Sequence, residues 1–170
     1  AAANFPDFAN SKENIARDLA LAKDAGFTDI VVDVRPTTGD VLFKTNLVDQ
    51  VKFMYAWIGS NYTKVERTAT WDYLQAFVDE ARKQGLRIHA AINTFVGGNQ
   101  IDGGTGLLYR DQSKAEWATQ MNMQVGITSV MNTSESTKFF NPAHPEVQTF
   151  LCDLLKDLAG YALDGIFLDR

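Results

Sequence analysis

The chain has 170 residues, of which 45% are hydrophobic, and its formal net charge is −5 at pH 7. This is enough material for one globular domain with a core. The acidic balance, the lack of a basic run and the lack of any apolar stretch near ~20 residues argue against a nucleic-acid partner and a membrane span, and a lone cysteine, Cys152, excludes an internal disulfide.

The chain contains three copies of one arrangement, an amphipathic helix followed by a short break and an apolar strand. The copies span residues 13–36, 71–94 and 145–170. In the first helix, Ile15, Leu19 and Ala22 recur at the spacing of one helical face. Ser11 is typical of the N-terminal cap of this helix, and Gly26 is typical of the residue after its end. Helices that alternate with strands predict an α/β fold with a parallel sheet.

The three strands are expected to be neighbours in this sheet, in chain order and with the helices on one side. They are residues 29–35, 87–93 and 165–169. Because side chains alternate across a strand, each strand has one apolar face and one face that becomes polar toward its carboxyl end. Ligands of barrels and of open sheets bind beyond the carboxyl ends of the strands. The polar residues are therefore expected to converge on one mouth, and they are Asp33, Arg35, His89, Asn93 and Asp169.

Four of these residues also have a structural interpretation. Asp33 and Arg35 lie two residues apart and suit an ion pair inside a barrel. His89 lies below the tip of its strand, where a satisfied core histidine is common. Asn93 suits either the cap of a loop or a substrate hydroxyl. Asp169 is the strongest catalytic candidate, because it ends a strongly apolar strand, a position where a carboxylate points to a function.

Other motifs are weaker. His144 in "NPAHPEV" precedes the helical Pro145, which suits helix initiation, but the segment also lies near the expected mouth. The stretch "VGGNQIDGGTG" lacks a phosphate-binding pattern and predicts a flexible mouth loop. The histidines, His89 and His144, have no metal-ligand spacing, so neither a metal site nor a cofactor is predicted.

Aromatic residues are frequent in or near the connecting loops. Exposed rings stack on sugar faces, but packing within the loops is an equally good interpretation of each ring taken singly. The residues are Tyr55, Trp57, Tyr62, Trp71, Phe95 and Tyr109.

Four stretches of the sequence together resemble a known family. They are "AGFTDIVVDVRPTTGDVLFKTN", "ARKQGLRIHAAINTF", "FFNPAHPEVQTFLCDLL" and "DGIFLDR". The chain resembles, over nearly its whole length, the glycosyl hydrolase-like 10 family of bacterial barrel proteins. The most specific piece is "NPAHPEV" followed about twenty residues later by "DGIFLD".

The resemblance implies a (β/α)₈ TIM barrel and hydrolysis of an oligo- or polysaccharide, and it favours an exported location in the periplasm or at the cell surface. A complete barrel takes about 250 residues. Residues 1–170 are then expected to be the N-terminal portion, roughly the first half, of a single barrel catalytic domain. The three strands would be the second, third and fourth of the barrel, and this portion alone is expected to be inactive.

The resemblance also makes a carbohydrate the expected partner. The predicted substrate contacts are Asp33, Arg35, His89, Asn93, His144 and Arg170. Asp169 would stand at the tip of the fourth strand, where alpha-amylase-type barrels carry a carboxylate nucleophile. Those enzymes place an arginine two residues earlier and this chain has Phe167, so the roles of nucleophile, acid, base and substrate-binding carboxylate all stay open.

Glycoside hydrolysis needs two carboxylates, about 5–5.5 Å apart for retention and roughly 6.5–9.5 Å apart for inversion. Asp169 is one, Asp33 is a poor second, and the true partner is expected on a later strand. Two alternatives remain. One is a metal-assisted hydrolase that uses Asp33, His89 and Asp169, and the other is a carbohydrate-binding barrel without chemistry.

Overall fold

The computed structural model describes the backbone of residues 3–123, 126–129, 131–132 and 136–170, and the side chains of residues 3–120 and 136–170. The α-helices are α1 (Phe5–Phe8), α2 (Lys12–Asp24), α3 (Tyr73–Gln84), α4 (Leu107–Arg110) and α5 (Pro145–Ala159). The strands are β1 (Asp29–Arg35), β2 (Phe53–Ile58), β3 (Asn61–Glu66), β4 (Arg87–Asn93), β5 (Val96–Asn99), β6 (Gln120–Met123), β7 (Gly126–Ser129), β8 (Met131–Asn132), β9 (Thr137–Phe139) and β10 (Gly165–Asp169). Within these ranges, no helix is long and apolar enough to cross a membrane.

The centre of the fold is a parallel sheet in the order β1-β4-β10. Asp29 of β1 pairs with Arg87 of β4, and Asp169 of β10 pairs with Asn93 of β4. The predicted strands, their order and their direction are therefore confirmed. The fold is α/β with parallel strands.

Capping residues and glycines set the ends of α2 and α3. The Ser11 hydroxyl accepts the backbone N–H of Asn14 at 3.1 Å and caps α2, and Gly26 follows the helix with a φ of +90°. The Asp72 carboxylate caps α3 by accepting the N–H of Gln75 at 3.1 Å. A left-handed φ after a helix favours glycine, which explains the breaks before β1 and β4, where Gly26 and Gly85 have φ values of +90° and +67°.

One face of the sheet forms the core with the helices. The buried residues of β1 and β4 on this face are Val32, Val34, Ile88, Ala90 and Ile92. They belong to the same hydrophobic cluster as the apolar stripes of α2, α3 and α5. On the opposite face, Val31 and Phe167 are 60% and 57% exposed. The alternation predicted from the sequence thus separates a helix-covered face from an open one.

The connections between the parallel strands carry small antiparallel sheets. β2 and β3 form a hairpin, β5, β9 and β8 form a second sheet, and β6 pairs with β7. The segment predicted as a flexible glycine-rich loop is instead closely packed. A Cβ atom at Gly97 would overlap Leu108, and one at Gly98 would overlap the carbonyl of Thr105. Glycine is required here for close approach of the backbone.

A β-bulge at the end of β1 changes the direction of Arg35. The pairing passes from Asp33 opposite Ala91 directly to Arg35 opposite Ile92, so Val34 has no partner in the register. A bulge bends its strand and redirects the side chains that follow it. Arg35 is completely buried as a result.

The Arg35 guanidinium binds the turn that leads from β4 to β5. It donates to the backbone carbonyl oxygens of Asn93, Thr94 and Val96. Burial lowers the pKa of Arg35 to about 10, while the charges of Asp40 and Asp33 raise it. The group therefore keeps its proton at neutral pH and ties three carbonyls to β1.

Arg35→Lys is expected to lower the free energy of unfolding by on the order of 3 kcal/mol, measured by urea denaturation of the full-length protein. Lysine keeps the charge, but its single ammonium cannot reproduce the planar geometry that reaches three carbonyls. Arg87→Lys is the matched control, because the Arg87 side chain is 65% exposed in its ion pair with Asp29. Equal midpoints for the two variants would contradict the structural role of Arg35.

A second expectation concerns the start of α5. The His144 ring accepts the N–H of Glu146 on Nδ1 at 3.2 Å, directly before Pro145. His144→Ala is expected to cost about 0.5–2 kcal/mol of stability, and His144→Asn is expected to restore most of it, because asparagine is a strong N-cap residue. Thermal or urea unfolding checks this, and an alanine variant as stable as wild type would refute the cap.

Candidate active site at the carboxyl ends of the strands

Asp169 lies at the open end of the parallel sheet. It is the last residue of β10, and its side chain is exposed on the face away from the helices. The Oδ1 atom accepts the backbone N–H of Arg170 at 2.9 Å. The main chain around it is fixed, because Thr94 and Phe95 donate their N–H groups to the carbonyls of Asp169 and Arg170 at 2.6 and 2.8 Å. A rigid backbone thus presents an accessible carboxylate.

Asp33 lies on the same face of β1, two residues below the Asn93–Asp169 level. Its Oδ1 atom accepts the backbone N–H of Arg35 at 3.2 Å, which turns the carboxylate toward the open end. Burial raises the pKa of the Asp33 carboxyl, and the charge of Asp169 adds to that rise. The charge of Asp169 thus acts on Asp33 across the sheet, and Asp33 is the more enclosed of the two.

Arg35 and Asn93 reach the predicted end of the sheet but do not open into the mouth. Arg35 is enclosed among carbonyl oxygens, as described above, and Asn93 is 8% exposed. The Asn93 amide donates to the Arg35 carbonyl at 2.8 Å. Of the three polar residues Arg35, Asn93 and Asp169, only Asp169 is exposed at this end of the sheet, and the bulge in β1 redirects Arg35.

His89 does not lie at the mouth, and its contacts fit a structural histidine. Its Nε2 atom lies 2.7 Å from Oδ2 of Asp29, at the amino end of β1. Arg87 binds the same carboxylate through two nitrogens, at 2.8 and 3.0 Å. These bonds hold the pKa of Asp29 below its usual range. The sequence predicts correctly which face of the sheet His89 lies on, but its partner Asp29 lies at the amino end of the strands.

The trio Asp33, His89 and Asp169 is accordingly not assembled as a metal site. In the part of the chain that the structure describes, no three histidine, cysteine or acidic side chains gather closely enough to hold a metal ion.

His144 and Arg170 occupy different surroundings. The His144 imidazole caps α5 and packs against Trp117, with ring centroids 6.2 Å apart. Arg170 is exposed, directly after Asp169, with a φ of +50°. Arg170 thus lies beside the candidate carboxylate, whereas His144 has a structural contact that explains its position.

Two partners of the site were not identified from the sequence. Tyr73 at the start of α3 lies close enough to Asp33 that burial and then the Asp33 charge raise the pKa of its hydroxyl. Asp40 lies near Arg35 and forms an ion pair with Arg110 from α4. Both residues come from segments outside the parallel strands, and no local pattern in the sequence links them to β1.

Solved structures with a similar fold include glycosidase domains. A hypothetical protein from Ruminiclostridium thermocellum ATCC 27405 aligns with a TM-score of 0.60 at 14% identity, over 95% of this chain and 71% of that chain. The galactosidase domain of the alpha-galactosidase-sucrose kinase AgaSK gives 0.58 at 17% identity, over 94% and 19%. TtGalA, an alpha-galactosidase from Thermus thermophilus solved with p-nitrophenyl alpha-D-galactopyranoside, gives 0.57 at 13% identity, over 99% and 29%. At these identities the likeness is one of fold.

A relative by sequence is an "S-layer-related protein" of Niallia circulans, 29% identical over 175 residues. The match covers 99% of this chain and 10% of that protein, so the chain spans about a tenth of its relative's length. The model of the family described as Glycosyl hydrolase-like 10 matches residues 2–170. Because this match covers essentially the whole chain, the chain belongs to the Glycosyl hydrolase-like 10 family.

Proposed function

We propose that this chain is the amino-terminal half of a (β/α)₈ barrel that hydrolyses glycosidic bonds in an oligo- or polysaccharide. The observation that carries the proposal is the Asp169 carboxylate, exposed at the end of β10 on the face away from the helices. Active sites of such barrels lie at the carboxyl ends of the strands. Family membership and the glycosidase folds of the structural neighbours support the same class of reaction.

Asp169 acts in this proposal as one of the two carboxylates of the reaction. Its accessibility suits a group that must reach a substrate, as nucleophile or as proton donor and acceptor. Asp33 adds negative charge below Asp169, and it contacts the substrate only if the ligand reaches that depth. The second catalytic carboxylate comes from a later strand of the same barrel, at the separation that either stereochemical course requires.

The substrate contacts are proposed to come chiefly from Arg170 and from the loops around Asp169. Arg35 and Asn93 act as positioning residues, since both are committed to holding β1 against the β4–β5 turn. We place the full-length protein at the cell surface, on the family resemblance and the S-layer-related name of its relative.

The barrel would continue past β10 on the side of an apolar groove. Cys152, Leu155 and Ala159 of α5 form one wall of this groove, and Ile166 and Leu168 of β10 form the other. Leu168 is 55% exposed and the groove has a volume of about 500 Å³. A further helix and strand packed there would bury these side chains and pair the outer edge of β10, as barrel closure requires.

Cys152 reports on this packing. In the native full-length protein, Cys152 is expected to react with a maleimide far more slowly than after denaturation in urea, because the next βα unit covers it. Mass spectrometry of the digested protein measures labelling at this site. Fast labelling of the native protein would mean that the groove is open and that the barrel does not continue across α5.

The catalytic role is tested with Asp169→Asn in the full-length protein. The change keeps the shape of the side chain and removes its charge, and general acid–base help alone is worth about 10²–10⁴-fold. Turnover is expected to fall by at least that range on a panel of oligosaccharides and p-nitrophenyl glycosides, alpha-galactosides included. The thermal midpoint is expected to stay near that of wild type, since the carboxylate is exposed.

Asp24→Asn serves as the matched control, because Asp24 is an exposed carboxylate at the end of α2. It is expected to leave both turnover and midpoint unchanged. If Asp169→Asn turns over normally and melts earlier, Asp169 is a structural carboxylate, and the carbohydrate-binding barrel without chemistry becomes the better account.

A further inference from the structure

The β2–β3 hairpin presents four aromatic rings on one face. Phe53, Tyr55 and Trp57 alternate along β2, and Tyr62 lies opposite Trp57 on β3. We refer to these four residues as the ring platform. The other face of β2 is different, because Met54 and Ala56 are buried. The hairpin therefore packs inward with its aliphatic face and turns its aromatic face away from the core.

Tyr55, Tyr62 and Trp57 form a row of adjoining rings, and Phe53 meets Tyr55 edge to face, with centroids 6.1 Å apart and an angle of 89°. The Tyr55 and Tyr62 rings are stacked, with centroids 5.2 Å apart and an angle of 27° between their planes. Trp57 continues the row at 5.3 Å from Tyr62. Cross-strand ring pairs stabilise a hairpin, but that role does not require Trp57 to be 69% exposed and Tyr62 56% exposed. Exposed aromatic surface of this kind suits a binding site.

A charged group lies at the rim of the ring platform. Asp102, in the turn after β5, accepts the Tyr55 hydroxyl at 3.0 Å and pairs with the Lys64 ammonium at 2.7 Å. These bonds hold the pKa of Asp102 below its usual range. A carboxylate offers about four lone-pair sites, so Asp102 retains acceptor capacity for the hydroxyl groups of a ligand.

The ring platform adjoins the carboxyl end of the parallel sheet. A cleft of about 130 Å³ lies between the hairpin and the end of β5, and its walls include Tyr55, Tyr62, Thr37 and Asn99. Thr37 follows β1 by two residues. β5 starts beside Asp169, since Phe95 donates its N–H to the Arg170 carbonyl. The four residues from there to Asn99 span at most about 13 Å, a length of a few sugar units.

We propose that the ring platform binds consecutive sugar units of a glycan chain that extends from Asp169. A pyranose ring has apolar C–H faces and a rim of hydroxyl groups. The rings of the platform stack on the apolar faces, and Asp102 and Lys64 form hydrogen bonds with the hydroxyl groups at the rim. The proposed function supplies the class of ligand, but the binding does not depend on which group cleaves the chain.

The test uses the full-length protein carrying Asp169→Asn, so that the ligand is not consumed. Calorimetry measures the affinity for cellohexaose, chitohexaose and xylohexaose and for the corresponding disaccharides. With the platform intact, at least one hexasaccharide is expected to bind more tightly than its disaccharide. Tyr62→Ala and Trp57→Leu are each expected to weaken that hexasaccharide by roughly tenfold, and Trp57→Phe is expected to retain most of the affinity.

Phe27→Ala is the matched control, since Phe27 is 62% exposed but lies after α2, away from the hairpin. Trp57→Leu keeps an apolar side chain on the hairpin, so loss of binding at an unchanged thermal midpoint separates ligand contact from hairpin stability. Unaltered hexasaccharide affinity in Trp57→Leu and Tyr62→Ala would overturn the proposal, as would a parent protein that binds no hexasaccharide better than its disaccharide. Neither of these results affects the turnover test of Asp169, so failure of this proposal can be distinguished from failure of the proposed function.

Discussion

The carboxyl end of the parallel sheet depends on the interactions of the buried Arg35 guanidinium. Removing a charge from water is costly, and it is tolerated only where hydrogen bonds and opposite charges replace the solvent. Three carbonyls supply the hydrogen bonds, and the carboxylates of Asp33 and Asp40 supply the charge. The Phe140 ring, whose centroid lies 5.8 Å from the guanidinium carbon, closes the enclosure with a cation–π contact.

The position of Asp169 follows from this interaction in two steps. Arg35 fixes the carbonyls of the β4–β5 turn, and so fixes the path of Thr94 and Phe95. Their N–H groups then bind the carbonyls of Asp169 and Arg170. A catalytic group has to be held within a fraction of an ångström of its working position. Here a side chain on β1 fixes, through the β4–β5 turn, the backbone that carries the Asp169 carboxylate on β10.

The two ends of the sheet divide the charged residues by task. At the amino end, Asp29 binds His89 and Arg87 and leaves little capacity for a ligand. At the carboxyl end, Asp33 and Asp169 raise the local negative charge, and Arg170 follows Asp169 along the chain. Barrel enzymes follow the same rule, with stability at the amino face and chemistry at the carboxyl face.

The sequence was sufficient to predict the strands, their order and the side of the sheet that each residue faces. It was also sufficient to predict that Asp169 lies at the carboxyl end of the sheet on the face away from the helices, because period-two alternation and helix caps are local signals. It was not sufficient to predict the bulge at Val34, the bond from His89 to Asp29 or the dense packing around Gly97, because each depends on contacts between segments far apart in the chain.

The ring platform extends this division from the strands to their connections. The hairpin follows β1 and the turn with Asp102 follows β4, so the two strands that Arg35 joins at their ends also carry the ring platform and the charged group at its rim. Asp102 joins the two connections a second time, by exposed bonds that are individually weak in water. A glycan that lies across Tyr62 and Asp102 would exclude water from these bonds and strengthen them. Binding of the chain would then stiffen the connection between the platform and the β4–β5 turn, which is the segment that positions Asp169. Chain length would thereby influence the order of the catalytic end as well as affinity, because both depend on the same pair of strands.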